Sequence, residues 1–264
     1  MRLKNARVIV TGASSGIGRA IAVEFARRGA RLALASRNRT ALEEVAAAIK
    51  TDGGSAIVIP TDVTADGAVK EMADAAIREL GGIDILVNNA GIGLTAPIAD
   101  ASSADVDKLF GLNVIAAAAA IRAVIPIMRA QRSGLIINIS SMAGRVVIPR
   151  IGYYSASKFA LTAIGDALRM EESHHGITVM NVFPGTTQSS FGENRLGTRG
   201  RQAHQVLPPV PAEKVARRVA QAVERDQRSV YISWFPDRAG LAANWLAGWA
   251  VSGVLRWWTR RAQP

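Results

Sequence analysis

Short runs of β-branched and aliphatic residues alternate with longer helical segments along most of this chain, and that alternation constrains its fold more than any other feature. The candidate strands are residues 8–10, 32–36, 56–59, 83–87, 135–139, 177–182 and 230–233. Helical spacing covers 19–28, 41–50, 65–80 and 104–130. Strands that alternate with helices of this length build parallel β–α–β units, with the sheet covered on both faces. The expected fold is therefore α/β, a doubly wound and mostly parallel seven-stranded sheet. The 264 residues, 49% hydrophobic and 20% charged, suit one undivided domain over 1–264.

Ligands in such sheets bind beyond the carboxyl ends of the strands, and the polar and glycine-rich residues fall there. The first strand runs into Thr11-Gly12-Ala13-Ser14-Ser15-Gly16-Ile17-Gly18, directly before a helix. Glycines permit a tight turn and let backbone amides approach a pyrophosphate at the helix amino terminus, where the dipole favours an anion. The second strand ends Ala35-Ser36-Arg37-Asn38. An acidic residue here would accept the ribose hydroxyls of NAD; Arg37 instead offers a planar donor fork for a 2′-phosphate, with Arg39 nearby to assist. NADP(H) is thus favoured over NAD(H). Asp62 and Val63 follow the third strand and Asn89, Ala90 and Gly91 the fourth, suited to holding adenine and tying loops together. Asn113 falls inside a long helical segment, where a buried amide must find partners. The alanine-rich run 115–121 beside it suits close packing, against the sheet or a second subunit.

The chain has no cysteine, which excludes disulfide and thiolate chemistry. Its three histidines lack metal-ligand spacing, so no metal site is expected. No apolar leader segment precedes the first strand, and a cytoplasmic location is expected. The net charge is +11, and from Glu193 onward twelve Lys/Arg stand against five Asp/Glu. Such a bias favours anionic partners, but no basic run interleaved with aromatics points to nucleic acid.

Tyr154 and Lys158 are four residues apart, about one helical turn, so they share a face. A phenol ordinarily titrates near pH 10. A unit charge about 4 Å away, at an effective dielectric of about 20, contributes roughly 4 kcal/mol, about three pKa units. Taken alone the pair is a common one. Together with Thr11-Gly12-x-x-x-Gly16-x-Gly18, Asn88-Asn89-Ala90-Gly91, Asn113, Ser141 and Pro184-Gly185, however, it resembles the short-chain dehydrogenase/reductase family over roughly residues 5–190. The order and spacing of these motifs match the family's and imply a Rossmann-like oxidoreductase. Tyr154 is chosen over Tyr153 by its distance from Lys158, and Ser141 over Ser140 by the Gly144 that follows.

The resemblance implies that nicotinamide exchanges hydride with a carbonyl or secondary alcohol and that Tyr154 carries the proton. Lys158 would lower the phenol's pKa and hold the nicotinamide ribose, Ser141 would donate to the substrate oxygen, and Asn113 would hold a water linked to Lys158. It places Pro184, Gly185, Thr187 and Ser189 around the cofactor, with Ser189 where the family often has threonine and Thr187 where an apolar residue is common. It also implies a homodimer or homotetramer.

Beyond residue 190 the resemblance gives layout rather than roles. Residues 190–211 form a candidate substrate lid, in which Arg195, Arg199 and Arg201 either engage an anionic substrate or coat a solvated loop. Residues 239–255 carry no charge and include Trp245 and Trp249, with Trp257, Trp258 and arginines following. Within a Trp-rich helix over 239–258, the uncharged stretch 239–255 would reach roughly 25 Å at about 1.5 Å per residue, short of a bilayer core of about 30 Å. It is expected either to pack on the protein or to rest through 239–261 on a membrane surface. The Trp-rich tail and the apolar residues 146–149 favour a lipophilic small-molecule substrate. A 3-oxoacyl-carrier-protein-type reductase is the alternative within the enzyme class, and a non-catalytic NADP(H)-binding or membrane-associated protein the alternative outside it.

Overall fold

A computed structural model of the chain describes residues 2–188, 190–192, 195–197 and 209–233. In chain order these form β1 (Arg7–Thr11), α1 (Gly16–Arg27), β2 (Arg31–Ser36), α2 (Arg39–Thr51), β3 (Ser55–Pro60), α3 (Ala68–Leu80) and β4 (Ile85–Asn88). There follow α4 (Ser103–Phe110), α5 (Ala117–Gln131), β5 (Gly134–Ile139), α6 (Gly152–Glu171), β6 (Ile177–Pro184), α7 (Ala212–Glu224) and β7 (Ser229–Ile232). The seven strands make one parallel sheet in the order β3-β2-β1-β4-β5-β6-β7. All seven expected strands are present, with ends shifted by a residue or two.

Every residue of β4 and β5 is buried, as in a sheet with helices on both faces. Alternation within a strand divides the core in two. Val8 and Val10 face Phe25 of α1, Leu42 of α2 and Val219 of α7 in one cluster. Ile9, between them, belongs to the other, with Met72 of α3, Val124 of α5 and Leu168 of α6. The alanine-rich run settles the same way: Ala116, Ala117, Ala120 and Ile121 are buried, and Ala120 and Ile121 join this second cluster. Among the described residues one helical run, Ser103–Gln131, is long and apolar enough to cross a membrane. Its buried side chains pack against the sheet, which accounts for its composition.

One expectation is corrected. The helix anticipated over 104–130 is not a continuous α-helix; a π-helical turn, Gly111–Ala116, separates α4 from α5. A π turn rotates the side chains that follow relative to those before, and it forms where a side chain is worth that irregularity. Here the turn carries Asn113. The tail segment 239–261 lies outside the described residues, as does most of 198–211, including Arg199 and Arg201.

The chain proceeds outward from β1 to β3 and then returns to place β4 on the other side of β1. This reversal opens a crevice beyond the carboxyl ends of β1 and β4. The glycine-rich turn leaves β1 there, and Asn88–Gly91 leaves β4 there.

Candidate active site

The glycine turn is locked to the end of β4 by side chains. Asn89 Nδ2 donates to the carbonyls of Thr11 (2.9 Å) and Gly12 (3.1 Å). Thr11 Oγ1 accepts from Asn89 N (3.0 Å) and Ala90 N (3.1 Å) and donates to Val87 O (3.1 Å). The approach leaves no room for side chains: a Cβ on Gly18 would fall 2.3 Å from Gly12 O and 2.4 Å from Asn89 Nδ2. Gly12 also has φ near +65°. Ser15 is the N-cap of α1 but makes no side-chain cap bond, and the first turn, with Gly16 and Ile17, carries no acid. The backbone N–H groups there are therefore available to an anion. Ser14 is half-buried beside them.

At the end of β2, Arg37 is exposed, and the buried Ser36 Oγ has no partner among the described residues. Arg39 pairs with Glu43 along α2, which leaves Arg37 as the basic group of the pair facing this end of the crevice. After β3, Asp62 accepts from Thr64 Oγ1 (2.6 Å) and N (3.0 Å). These bonds, with a smaller contribution from the charge of Arg37, hold its carboxyl below the ordinary range against desolvation. Val63 packs on the core beside it. An anion-ready helix end, glycines with no space for a Cβ, and a basic group with an unpaired hydroxyl at the β2 end together fit a nicotinamide dinucleotide.

Across the crevice, α6 presents Tyr154 and Lys158. Tyr154 stands close enough to Ser141 for that hydroxyl to act on the phenol, and the Ser141 oxygen accepts from Ala143 N at 3.1 Å. The neighbouring Ser140 is structural: it is buried, contacts Thr162 Oγ1 at 3.0 Å and donates to Lys158 O at 3.2 Å. Lys158 is buried, and Nζ donates to Ile139 O at 2.9 Å. Desolvation lowers its pKa to about 8. Desolvation also raises the pKa of Tyr154, opposed by the Ser141 hydroxyl and the charge of Arg195. The expectation that Lys158 brings the phenol toward neutrality is thus not met by the chain alone. Nζ lies 5.9 Å from the Tyr154 ring centroid and points to a carbonyl.

Asn113 is buried, and three of its hydrogen-bonding positions are engaged. Oδ1 accepts from Ile92 N (2.8 Å), and Nδ2 donates to Ile92 O (2.9 Å) and Ser157 Oγ (3.1 Å). Ser157 in turn donates to Tyr154 O at 2.8 Å. Gly91 stands between this amide and Lys158, since a Cβ there would lie 3.1 Å from Asn113 Oδ1 and 3.5 Å from Lys158 Nζ. Past β6, Gly185 N donates to Ile232 O (2.9 Å), and Thr187 pairs with Val210 in a short parallel bridge. Pro184 ends β6 opposite Ile232. Ser189 lies outside the described residues.

Sequence reasoning passed over two features. Ser157, inside the Tyr154–Lys158 motif, links Asn113 Nδ2 to the Tyr154 carbonyl. Asn88, Asn138 and Asn181 lie in register on β4, β5 and β6 and form a buried ladder: Asn88 Nδ2 donates to Asn138 Oδ1 (3.1 Å) and Asn138 Nδ2 to Asn181 Oδ1 (3.2 Å). Asn181 then donates to Asp166 of α6 at 2.9 Å. Asparagine is disfavoured in strands, so its presence in three of them was the available signal.

A crevice of this shape, with proton-bearing side chains on its far wall, is the kind that dinucleotide-dependent oxidoreductases use. A family model described as short chain dehydrogenase matches residues 6–199. The uncharacterized oxidoreductase Lmo0432 of Listeria monocytogenes is 33% identical over 232 residues, covering 86% of this chain and 94% of its own. The ketoacyl reductase HetN of a Nostoc species is 31% identical over 256 residues, covering 95% of this chain and 88% of its own. A solved short chain dehydrogenase/reductase from Burkholderia phymatum, in complex with NAD, superposes with a TM-score of 0.81 at 26% identity, covering 88% of this chain and 90% of that one. The chain belongs to the short-chain dehydrogenase/reductase family, and it is an oxidoreductase.

Proposed function

We propose that the protein is an NADP(H)-dependent oxidoreductase that interconverts a lipophilic carbonyl compound and the corresponding secondary alcohol, with Tyr154 as the acid/base. The observation that carries this reading is that Tyr154 and Ser141, whose hydroxyl acts on the phenol, stand beyond the same strand ends as an anion-ready glycine turn. When bound, the nicotinamide supplies or accepts the hydride, two electrons with one proton's nucleus, which no side chain can do. Gly12 through Gly18 receive the pyrophosphate, Arg37 the 2′-phosphate, and Asp62, Val63 and Asn89–Gly91 the adenosine side. Pro184, Gly185 and Thr187 border the nicotinamide end.

Ser141 orients the substrate oxygen and donates to it as charge develops. Tyr154 gives that oxygen a proton in reduction and removes it in oxidation. Net, carbonyl, NADPH and one proton become alcohol and NADP+. Lys158 recharges the phenol, and Asn113, one lone pair of Oδ1 beyond its bond to Ile92, holds the water that connects Lys158 with solvent. Exposed Ile115, Phe159 and Met170 support assembly as a homodimer or homotetramer through the α5–α6 side.

The identity to HetN favours one second reading, reduction of a 3-oxoacyl thioester. Turnover of a panel of neutral ketones, 3-oxoacyl thioesters and secondary alcohols, followed by nicotinamide absorbance with NADPH and NADH in parallel, tests both. A higher kcat/KM with NADPH on a free ketone is expected. Binding of NADPH with no turnover across the panel would instead favour a non-catalytic nucleotide-binding role.

A further inference from the structure

Past β6, a described piece of chain is stitched to the rim of the site. Leu196–Gly197 pairs in parallel with Leu94–Thr95, and Leu196 N donates to Gly93 O at 2.9 Å. Just before that bridge in the chain, Phe191 sets its ring 5.9 Å from the ring of Tyr154, and Arg195 Nη1 donates to Thr95 Oγ1 at 3.1 Å. Gly93 makes room for both. A Cβ on it would stand 3.1 Å from the Phe191 ring and 3.2 Å from Arg195 Nε.

The surroundings of this arginine are apolar. Leu94, Ala96 and Leu109 form a small cluster, with Tyr153, Tyr154 and Leu196 packed against it. Arg195 Nε is buried with no acceptor, and no carboxylate pairs with the guanidinium among the described residues. Most arginines that pack into this protein have one; Arg7 meets Asp84, and Arg28 meets Glu24 and Glu224. A cation drawn among apolar groups without a counter-charge is costly, and a planar donor fork matches a carboxylate.

The geometry points to Arg195 as the partner of a substrate carboxylate, so that this site takes an oxo acid, or the corresponding hydroxy acid, with its apolar body against Phe191 and Leu94. The inference rests on the carbonyl–alcohol reading above and narrows it. The positive charge of Arg195 reaches the phenol of Tyr154, pulling its pKa down against desolvation, so the guanidinium stands at the reacting end of the crevice. A 3-oxoacyl thioester, neutral beside its carbonyl, would leave that charge uncompensated.

The full chain is assayed with NADPH on the α-oxo and β-oxo derivatives of hexanoic acid and on their methyl esters. At least one acid is expected to exceed its ester in kcat/KM by about tenfold or more, and Arg195→Met to lower the acid's value by about 10–100-fold more than the ester's. Arg195→Lys should restore part of the loss, and Gly93→Ala, which displaces Nε without removing the charge, should erode the preference. Hexanoate, but not methyl hexanoate, should inhibit the unsubstituted enzyme competitively with the carbonyl substrate, a readout that needs no variant. Preference for the esters, no inhibition by hexanoate, or equal loss on acid and ester with a shifted pH profile would each overturn the assignment of Arg195 while leaving carbonyl reduction intact. Failure to reduce any carbonyl would overturn the reductase reading with it.

Discussion

Lys158 turns its ammonium to the carbonyl of Ile139, 2.9 Å away, and not to the phenol of Tyr154, its neighbour one turn back on α6. The lysine is buried and its pKa is lowered from 10.5 to about 8. A group depressed in the folded state destabilises that state while it is charged. The cost is fully present below pH 8 and is relieved as pH rises from about 8 toward 10.5. At about 1.4 kcal/mol per pKa unit, less about 1 kcal/mol for the lost bond to Ile139, Lys158→Met should raise stability at pH 7 by about 2–3 kcal/mol. Urea unfolding of both proteins at pH 7 and near pH 10 checks this: the gain should shrink at the higher pH, and a loss of stability at pH 7 would refute the sign.

Tyr154→Phe removes the proton carrier and keeps the ring beside Phe191. Turnover should fall by about 10²–10⁴-fold, with NADPH binding changed by no more than a few fold. Tyr153→Phe, half-buried in the same small cluster, should keep most of the activity. Steady-state kinetics beside fluorescence titration separates the two effects.

Arg37 stands exposed at the β2 end with its charge reaching Asp62. Arg37→Asp exchanges a phosphate donor for a ribose acceptor. The ratio of kcat/KM for NADPH over NADH should drop by about 10–100-fold, the range of one charge-assisted interaction. An unchanged ratio would remove Arg37 from the cofactor site.

Two glycines should respond oppositely to a methyl group. Gly18→Ala drives a Cβ to 2.3 Å from Gly12 O, backbone that cannot yield without opening the turn, so nucleotide binding should be lost. Gly111→Ala meets nothing within 4 Å on right-handed helical backbone, φ −52° and ψ −49°. It should stabilise by about 0.5–1 kcal/mol through the unfolded chain. Thermal unfolding and NADPH titration of both variants give the contrast.

Asn138→Leu would leave one N–H of Asn88 Nδ2, whose other reaches Ala117 O, and Asn181 Oδ1 buried without these partners. At about 1–3 kcal/mol for each unsatisfied group, a loss of about 2–4 kcal/mol is expected by urea unfolding. A smaller loss would show that the ladder carries less of the sheet's stability than its burial suggests.

Strand identity, the doubly wound class and the glycine turn were legible in the sequence because they rest on local rules: period-two and period-3.6 patterning, and turn residues between them. The choice of Tyr154 over Tyr153 followed from spacing and that of Ser141 over Ser140 from the family pattern; what only the structure showed is that Ser140 contacts Thr162 of α6 at 3.0 Å. The π turn at Asn113 was not legible. Helical spacing across 104–130 is satisfied almost equally with or without one extra residue in a turn, and the deciding bonds, to Ile92 and Ser157, come from distant chain. The asparagine ladder was hidden for the same reason, since three isolated residues become one network only when the strand order sets them side by side.

By itself, then, the sequence determined which segments are strands, that they lie parallel, and which residue types reach the crevice, because periodicity and spacing are properties of neighbours along the chain. Tertiary structure alone decided where the charges point. The Tyr154–Lys158 pair, adjacent by helical spacing, is separated by the pull of Ile139's carbonyl. Arg195, forty-one positions from Tyr154 in the chain, is brought near enough for its charge to act on the phenol. Electrostatic influence depends on distance and burial in space, and neither is written in the local sequence.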